Sequence, residues 1–206
     1  MTRSILTAYA TKCGSTREVA EVVGEAIRDR GASADVRPAA EITDLAPWDA
    51  VVLGCPIIYG RPHPEAIRFL RRHSDRLTRM PTACFLCCLE LTTVPEADYR
   101  GALLSIDPDL GAPPRRPEKL GYFERTHLVT SLIDLVLDAA PGVDPVGIAV
   151  FRGKMEYSSV DVVGRLVLRL TKLLFSAAPE GDFRNWPFIR SWAAGLPDLL
   201  QPDGSP

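Results

Sequence analysis

Residues 5–17, "ILTAYATKCGSTR", decide how the rest of the chain is read. An apolar run bounded by turn residues (4–10) has the pattern of a β-strand buried on both faces. It breaks into hydroxyls around one glycine, and a helical pattern follows at once. Val19, Ala20, Val23, Ala26 and Ile27 share one face over 16–30, up to a stop at Gly31. Strand, polar loop and helix make the first half of a βαβ unit. The loop lies at the strand's carboxyl end, where open parallel sheets bind their ligands.

The same alternation runs outward along the chain. Strand patterns cover 33–38, 49–55, 81–91 and 145–151, and helical ones cover 64–77, about 125–139 and 160–176. A short closing helix follows at "NWPFIRSWAAGL". Strands that alternate with helices pair in parallel through right-handed crossovers, which predicts an α/β, doubly wound, five-stranded parallel sheet. Residues 93–124 interrupt it after the fourth strand; five prolines (Pro95, Pro108, Pro113, Pro114 and Pro117) leave 93–120 without sustained periodicity. A loop of that length is read as an insertion over one end of the sheet. One domain over 1–200 and a frayed tail at 201–206 complete the expectation.

Composition narrows the class. With 206 residues, 46% apolar content and a net charge of −2, a buried core is expected, and neither disorder nor electrostatic nucleic-acid binding is. The five cysteines sit in or beside apolar runs, which fits reduced thiols in a cytoplasmic protein. The first apolar run is too short for a secretion signal, and every stretch of 18 residues contains a charge.

The first loop, "TKCGST" (11–16), opens a helix, whose free N–H groups and dipole favour an anion. Thr11, Ser15 and Thr16 add hydroxyl donors, and Gly14 permits close approach of the main chain. Neither G-x-x-x-x-G-K-[ST] nor G-x-G-x-x-G is present, so a terminal phosphate monoester fits better than a triphosphate or a dinucleotide. Asp35, on the second strand, stands at a plausible ribose distance but lacks the accompanying glycines. An ordinary helix cap is the plainer alternative for Ser15 and Thr16.

The third strand ends in "GCPIIYGRPHPEAIRF" (54–69). Gly54, Pro56 and Gly60 are expected to force an irregular backbone that presents N–H and C=O groups to a flat heterocycle, with Tyr59 against its ring. Arg61 and His63 stand just beyond; His63 either moves a proton or simply begins the next helix.

These two loops resemble those of the flavodoxin-like family, which binds FMN and orders its strands 2-1-3-4-5. "YGRPHPEAIRFLRRH", "FRGKMEYSSVDVVGRLVLRLTKLL" and "GDFRNWPFIRSWAAGL" are similar to one branch, the menaquinone-dependent protoporphyrinogen IX dehydrogenases. The resemblance covers nearly the whole chain except about 93–125. It implies that Thr11, Lys12, Cys13, Gly14, Ser15 and Thr16 wrap the FMN phosphate. Pro56, Ile57, Ile58, Tyr59 and Gly60 would flank the isoalloxazine, and Leu89, Glu90, Leu91 and Thr92 would line its other side. The catalytic candidates are His63, Tyr59 and Arg61. Cys13 stands where polar residues are usual, and the insertion is longer than in the branch.

The implied function is an FMN-dependent oxidoreductase that dehydrogenates a flat, tetrapyrrole-like substrate and passes electrons to a quinone. A flavodoxin-type carrier serving a protein redox partner is one alternative, and an enzyme for another aromatic or quinone-like metabolite is the other. Basic residues (Arg61, Arg152 and Lys154) favour an enzyme over the acidic carriers. Over 160–176, Arg165, Arg169 and Lys172 stripe an otherwise apolar helix, which suits a membrane surface at the inner face of the cell membrane, a homodimer contact or core burial. On a strand, Cys84 and Cys87 point to opposite faces, roughly 10 Å apart at about 3.3 Å per residue, so core packing is expected and no metal site. His73 reads as solvated at the end of an Arg-rich helix.

Overall fold

The computed structural model describes residues 3–92, 98–113, 116, 118–155 and 180–201. Strand β1 (Ser4–Tyr9) is central, with β2 (Ser33–Pro38) on one side and β3 (Ala50–Ile58) on the other, all parallel. Beyond β3 lie β5 (Thr82–Cys88) and β10 (Gly147–Arg152), also parallel. These strands stand in the expected order 2-1-3-4-5.

The sheet continues past that order. Strand β8 (Ala102–Ile106) pairs in parallel with β10, and β7 (Asp98–Tyr99) folds back on it antiparallel. The insertion is therefore not structureless: its middle adds a new edge to the main sheet. Leu104 and Ala102 face the core, and this short alternation of buried and exposed residues gives the strand its register. Two-residue strands β6 (Leu91–Thr92) and β9 (Gly111–Ala112) then tie the insertion to the end of β5.

Helices cover both faces. On one side α1 (Ser15–Asp29) and α5 (Trp186–Leu199) pack over Phe85 and Phe151, whose rings lie 5.4–6.3 Å from that of Trp192 and from each other. On the other, α2 (Pro64–Leu77) and α4 (Val129–Leu137) cover Leu53, Leu86 and Ile148. The helix expected over 125–139 is broken: α3 (Tyr122–Thr126) ends before α4 begins. Cys84 and Cys87 fall in the two opposite core layers, as strand alternation requires.

Two readings are corrected. His73 is buried at 7% exposure, with Nε2 3.2 Å from the Ile42 carbonyl, because it shares the inward stripe of α2 with Ala66, Phe69, Leu70 and Leu77. Gly54 and Pro56 lie inside β3 rather than in an irregular loop. Gly54 is needed there because a Cβ would sit 2.3 Å from the Phe85 ring. By Pro56 strand β1 has already ended, since Tyr9 pairs with Gly54, so the missing N–H breaks no bond on that side. The stripe Arg165, Arg169 and Lys172 in 160–176, the segment after Met155 in "FRGKMEY", and 202–206 lie outside the described residues.

Candidate functional site

The first loop leaves β1 where Ala10 donates its N–H to the Gly54 carbonyl (2.9 Å), so both loops start from one point at the sheet's carboxyl edge. The Thr11 hydroxyl accepts the Gly14 N–H (2.9 Å) and turns the loop. Gly14 caps α1 in the left-handed region (φ 86°), which permits no cheap side chain, and it supplies no side-chain cap. The first bond of the helix is Glu18 N–H to Gly14 O (3.1 Å), so the N–H groups before it face the loop's mouth. Lys12 and Cys13 are exposed, and Ser15 is half-buried. The Thr16 hydroxyl is fully buried; burial pushes the Cys87 thiol up and this hydroxyl pulls it slightly back, yet it makes no well-aligned hydrogen bond among the described residues.

The second loop is a hairpin. Ile57 and Ile58 end β3 and pair antiparallel with β4 (Arg61–Pro62), leaving Tyr59 and Gly60 as the turn. Both have positive φ (52° and 70°), the signature of a type I′ turn. Tyr59 is thereby held out from the sheet edge, 78% exposed, with no core to explain its conformation. Strain of about 1–2 kcal/mol at a non-glycine residue is the kind a functional site retains.

His63 caps α2: its Nδ1 accepts the Glu65 N–H (3.3 Å), which fulfils the plainer of its two readings. Burial lowers its pKa; Arg68 and Lys12 push the same way against Glu65, which brings the two loops within electrostatic reach. Its backbone N–H bonds the Pro56 carbonyl (3.1 Å), and Arg61 is exposed beside it.

Behind the first loop sits a residue the sequence reading passed over. Arg184, with a side chain only 3% exposed, ion-pairs with Asp182 (2.6 Å) and Glu18 (2.8 Å) and lies over the Trp186 ring at 4.3 Å. Its Nη1 donates to the Ser15 carbonyl (3.2 Å) from 169 positions away. Nothing local could have indicated that contact, although a charged residue inside the apolar run "FRNWPF" is unusual. Asp182 belongs to β12 (Gly181–Asp182), which pairs with β11 (Lys154–Met155) just past β10.

On the opposite flank, Leu89 is half-buried and Glu90 exposed, whereas Leu91 and Thr92 are buried in the junction with the insertion. The Thr92 N–H bonds the His127 carbonyl (2.8 Å). The chain there reaches the hairpin: a Cβ on Gly60 would lie 3.5 Å from the Thr126 carbonyl and 3.9 Å from the His127 ring. Asp35 accepts from Trp48 Nε1 (3.1 Å) and stands 3.9 Å from Arg37, so its carboxylate is engaged in the fold. No disulfide forms among the described residues, and burial pushes Cys55, Cys84 and Cys88 up to about 12, far from any thiolate role. Among the described residues, no cluster of His, Cys, Asp or Glu could hold a metal ion, and no helix is long and apolar enough to cross a membrane.

An uncapped helix start beside exposed Lys12 and a protruding tyrosine in the turn after the adjacent strand fit a phosphorylated planar cofactor. The chain belongs to the flavodoxin-domain family, whose model matches residues 6–174, and it is accordingly an FMN flavoprotein of the oxidoreductase class. It is 33% identical over 79 residues to protoporphyrinogen IX dehydrogenase [quinone] of Escherichia coli K12, covering 37% of this chain and 44% of that protein. The match thus spans less than half the length of that relative. Among solved structures it is similar to a short-chain flavodoxin associated with a non-canonical PDU bacterial microcompartment (14% identity, 98% and 100% of the chains, TM-score 0.49). Another is oxidised flavodoxin 2 from Bacillus cereus (14% identity, 95% and 98%, TM-score 0.46).

Proposed function

We propose that the chain is an FMN-dependent enzyme that dehydrogenates a flat, tetrapyrrole-like substrate and delivers the electrons to a quinone. The observation that carries this reading is the pairing of the uncapped start of α1, with its buried Thr16 hydroxyl, and the strained Tyr59 hairpin at one edge of the sheet. In this reading Thr11, Lys12, Cys13, Gly14, Ser15 and Thr16 hold the phosphate. Pro56, Ile57, Ile58, Tyr59 and Gly60 flank the ring, with Leu89 and Glu90 across from them, and Leu91 and Thr92 anchor that flank to the insertion. FMN supplies the redox chemistry by accepting and releasing electrons. The protein excludes water, presents the substrate to the ring edge, and uses Arg61 to attract a carboxylated substrate. His63, kept neutral by burial, holds or takes a proton through Nε2, since Nδ1 is engaged by the cap.

We read 1–200 as one domain with 93–124 bordering the cofactor, because the two flanks of that segment meet beside the hairpin: the Thr92 N–H bonds the His127 carbonyl, and Thr126 and His127 approach Gly60. That wall, together with exposed Lys12 and Arg61, favours a substrate bay over the open acidic face of a carrier. The relative's name supports tetrapyrrole and quinone as the two partners.

Purified protein should bind FMN, and Ser15→Glu should abolish binding by repelling the phosphate; unchanged affinity would show the loop to be misassigned. Anaerobic assays then decide the reaction. Oxidation of protoporphyrinogen coupled to menaquinone reduction is expected, and turnover seen only as a shuttle between two redox proteins would make the chain a carrier.

A further inference from the structure

The structure carries an assignment for Arg184. A charged side chain 3% exposed, with one face on the Trp186 ring, is expensive to bury and should be doing something specific. Its charge is more than offset, because Asp182 and Glu18 both pair with it, so long-range attraction of an anion is not its role. What remains among the described residues is the hydrogen bond it makes outside the ion-pair cluster and the aromatic stack, from Nη1 to the Ser15 carbonyl.

That carbonyl belongs to the same planar peptide unit as the Thr16 N–H, and the two point in opposite directions. Ser15 is the first residue of α1, so the carbonyl points along the helix and the amide points out of its N-terminus. We propose that Arg184 is a positioning residue for the phosphate end of the cofactor: by clamping the Ser15 carbonyl it aims and polarises the Thr16 amide at the loop's mouth. This rests on residues 11–16 being the phosphate loop. A charged donor on the carbonyl withdraws electron density through the amide, which strengthens the N–H as a donor, and the fixed plane removes the freedom the amide would otherwise lose on binding. Asp182 and Glu18 orient the guanidinium from two sides, and Trp186 fixes its plane. Because Asp182 pairs with the strand that leaves β10, the clamp also links the phosphate loop to the end of β10.

The test compares FMN with riboflavin, which lacks only the phosphate, by fluorescence titration of the apoprotein. Arg184→Met should weaken FMN by about ten- to a hundredfold, the range of one lost charge-assisted hydrogen bond. Riboflavin affinity should change less than about twofold on the same argument, because the ring contacts are untouched. Arg184→Lys, which keeps a donor and the charge, should recover part of the FMN preference. The loss should also persist at about 1 M salt, where a purely electrostatic effect is screened away. Equal losses for both flavins, an unchanged FMN affinity, or a loss that vanishes in salt would overturn the assignment. Should Arg184→Met not fold, Arg184→Gln carries the same comparison, since Glu18 and Asp182 are about 40% exposed and keep water contact. If Ser15→Glu abolishes FMN binding while Arg184→Met spares it, only this inference fails. If neither substitution matters, the phosphate loop itself is elsewhere.

Discussion

At the scale of single residues, the site is built from conformations that would be unfavourable elsewhere. Tyr59 holds φ 52° in the first position of a type I′ turn, a place where Asn-Gly is the preferred pair. The residue is 78% exposed and contributes no core packing to offset that conformation. Tyr59→Asn should therefore raise the stability of the apoprotein by about 0.5–1 kcal/mol while weakening FMN binding. The two effects have opposite sign, and that makes the test sharp. Thermal melts of apoprotein beside FMN titrations check it, and a loss of stability would show that the tyrosine is held by packing. Thr7 argues in the same way inside the core. Its hydroxyl is fully buried on β1 without a hydrogen-bond partner among the described residues. Thr7→Val, close in shape, should stabilise the protein by about 1 kcal/mol, or about 2–4 °C in Tm. An unchanged or lower Tm would show that the hydroxyl is satisfied in solution.

At the scale of elements, strand β3 shows how a sheet can deliver a loop at a fixed place. It runs three residues further than its apolar run indicates, through Pro56 to Ile58, and so carries the hairpin clear of β1. Gly54 lies in the middle of it against the Phe85 ring, and a methyl group there would have to displace the ring. Gly54→Ala should destabilise by about 1–3 kcal/mol through overpacking, and chemical denaturation measures it. A neutral result would mean that Phe85 swings aside at little cost. The sequence made the buried parallel strands legible because each is a short β-branched or apolar run between turn residues. Strand β8 was illegible for a physical reason: "ALLSI" is five residues long, sits among prolines and glycines, and is recognisable as a strand only once β10 lies beside it. His73 was legible in principle, since it falls four residues after Phe69 on the stripe that α2 buries. The loops at the sheet's edge declared themselves by composition, whereas Arg184 did not, because its partner is reached only through the tertiary fold.

At the scale of the whole molecule, the charged groups make stability depend on pH in two separate stages. His63 and His73 both have pKa values lowered from 6.5, chiefly by burial, on the same helix. The unfolded chain therefore takes up protons as pH falls through 6.5 while the folded chain still resists them, and stability is lost over that window. Asp182 acts lower on the scale. Its hydrogen bonds from Arg184 hold its pKa below 3.8, so its contribution is intact above that value and disappears as pH falls through the folded-state pKa. Because Asp182 also holds the guanidinium that clamps Ser15, the second stage should loosen the phosphate loop as well as the fold. Melting temperature should be flat at mildly alkaline pH, decline as the histidines titrate, and fall again in strong acid. The double variant His63→Asn, His73→Gln keeps an amide at the α2 cap and one beside the Ile42 carbonyl but cannot titrate. It should remove the first decline and leave the second. A first decline of undiminished size in that variant would mean that groups other than these two rings set the neutral-pH limb.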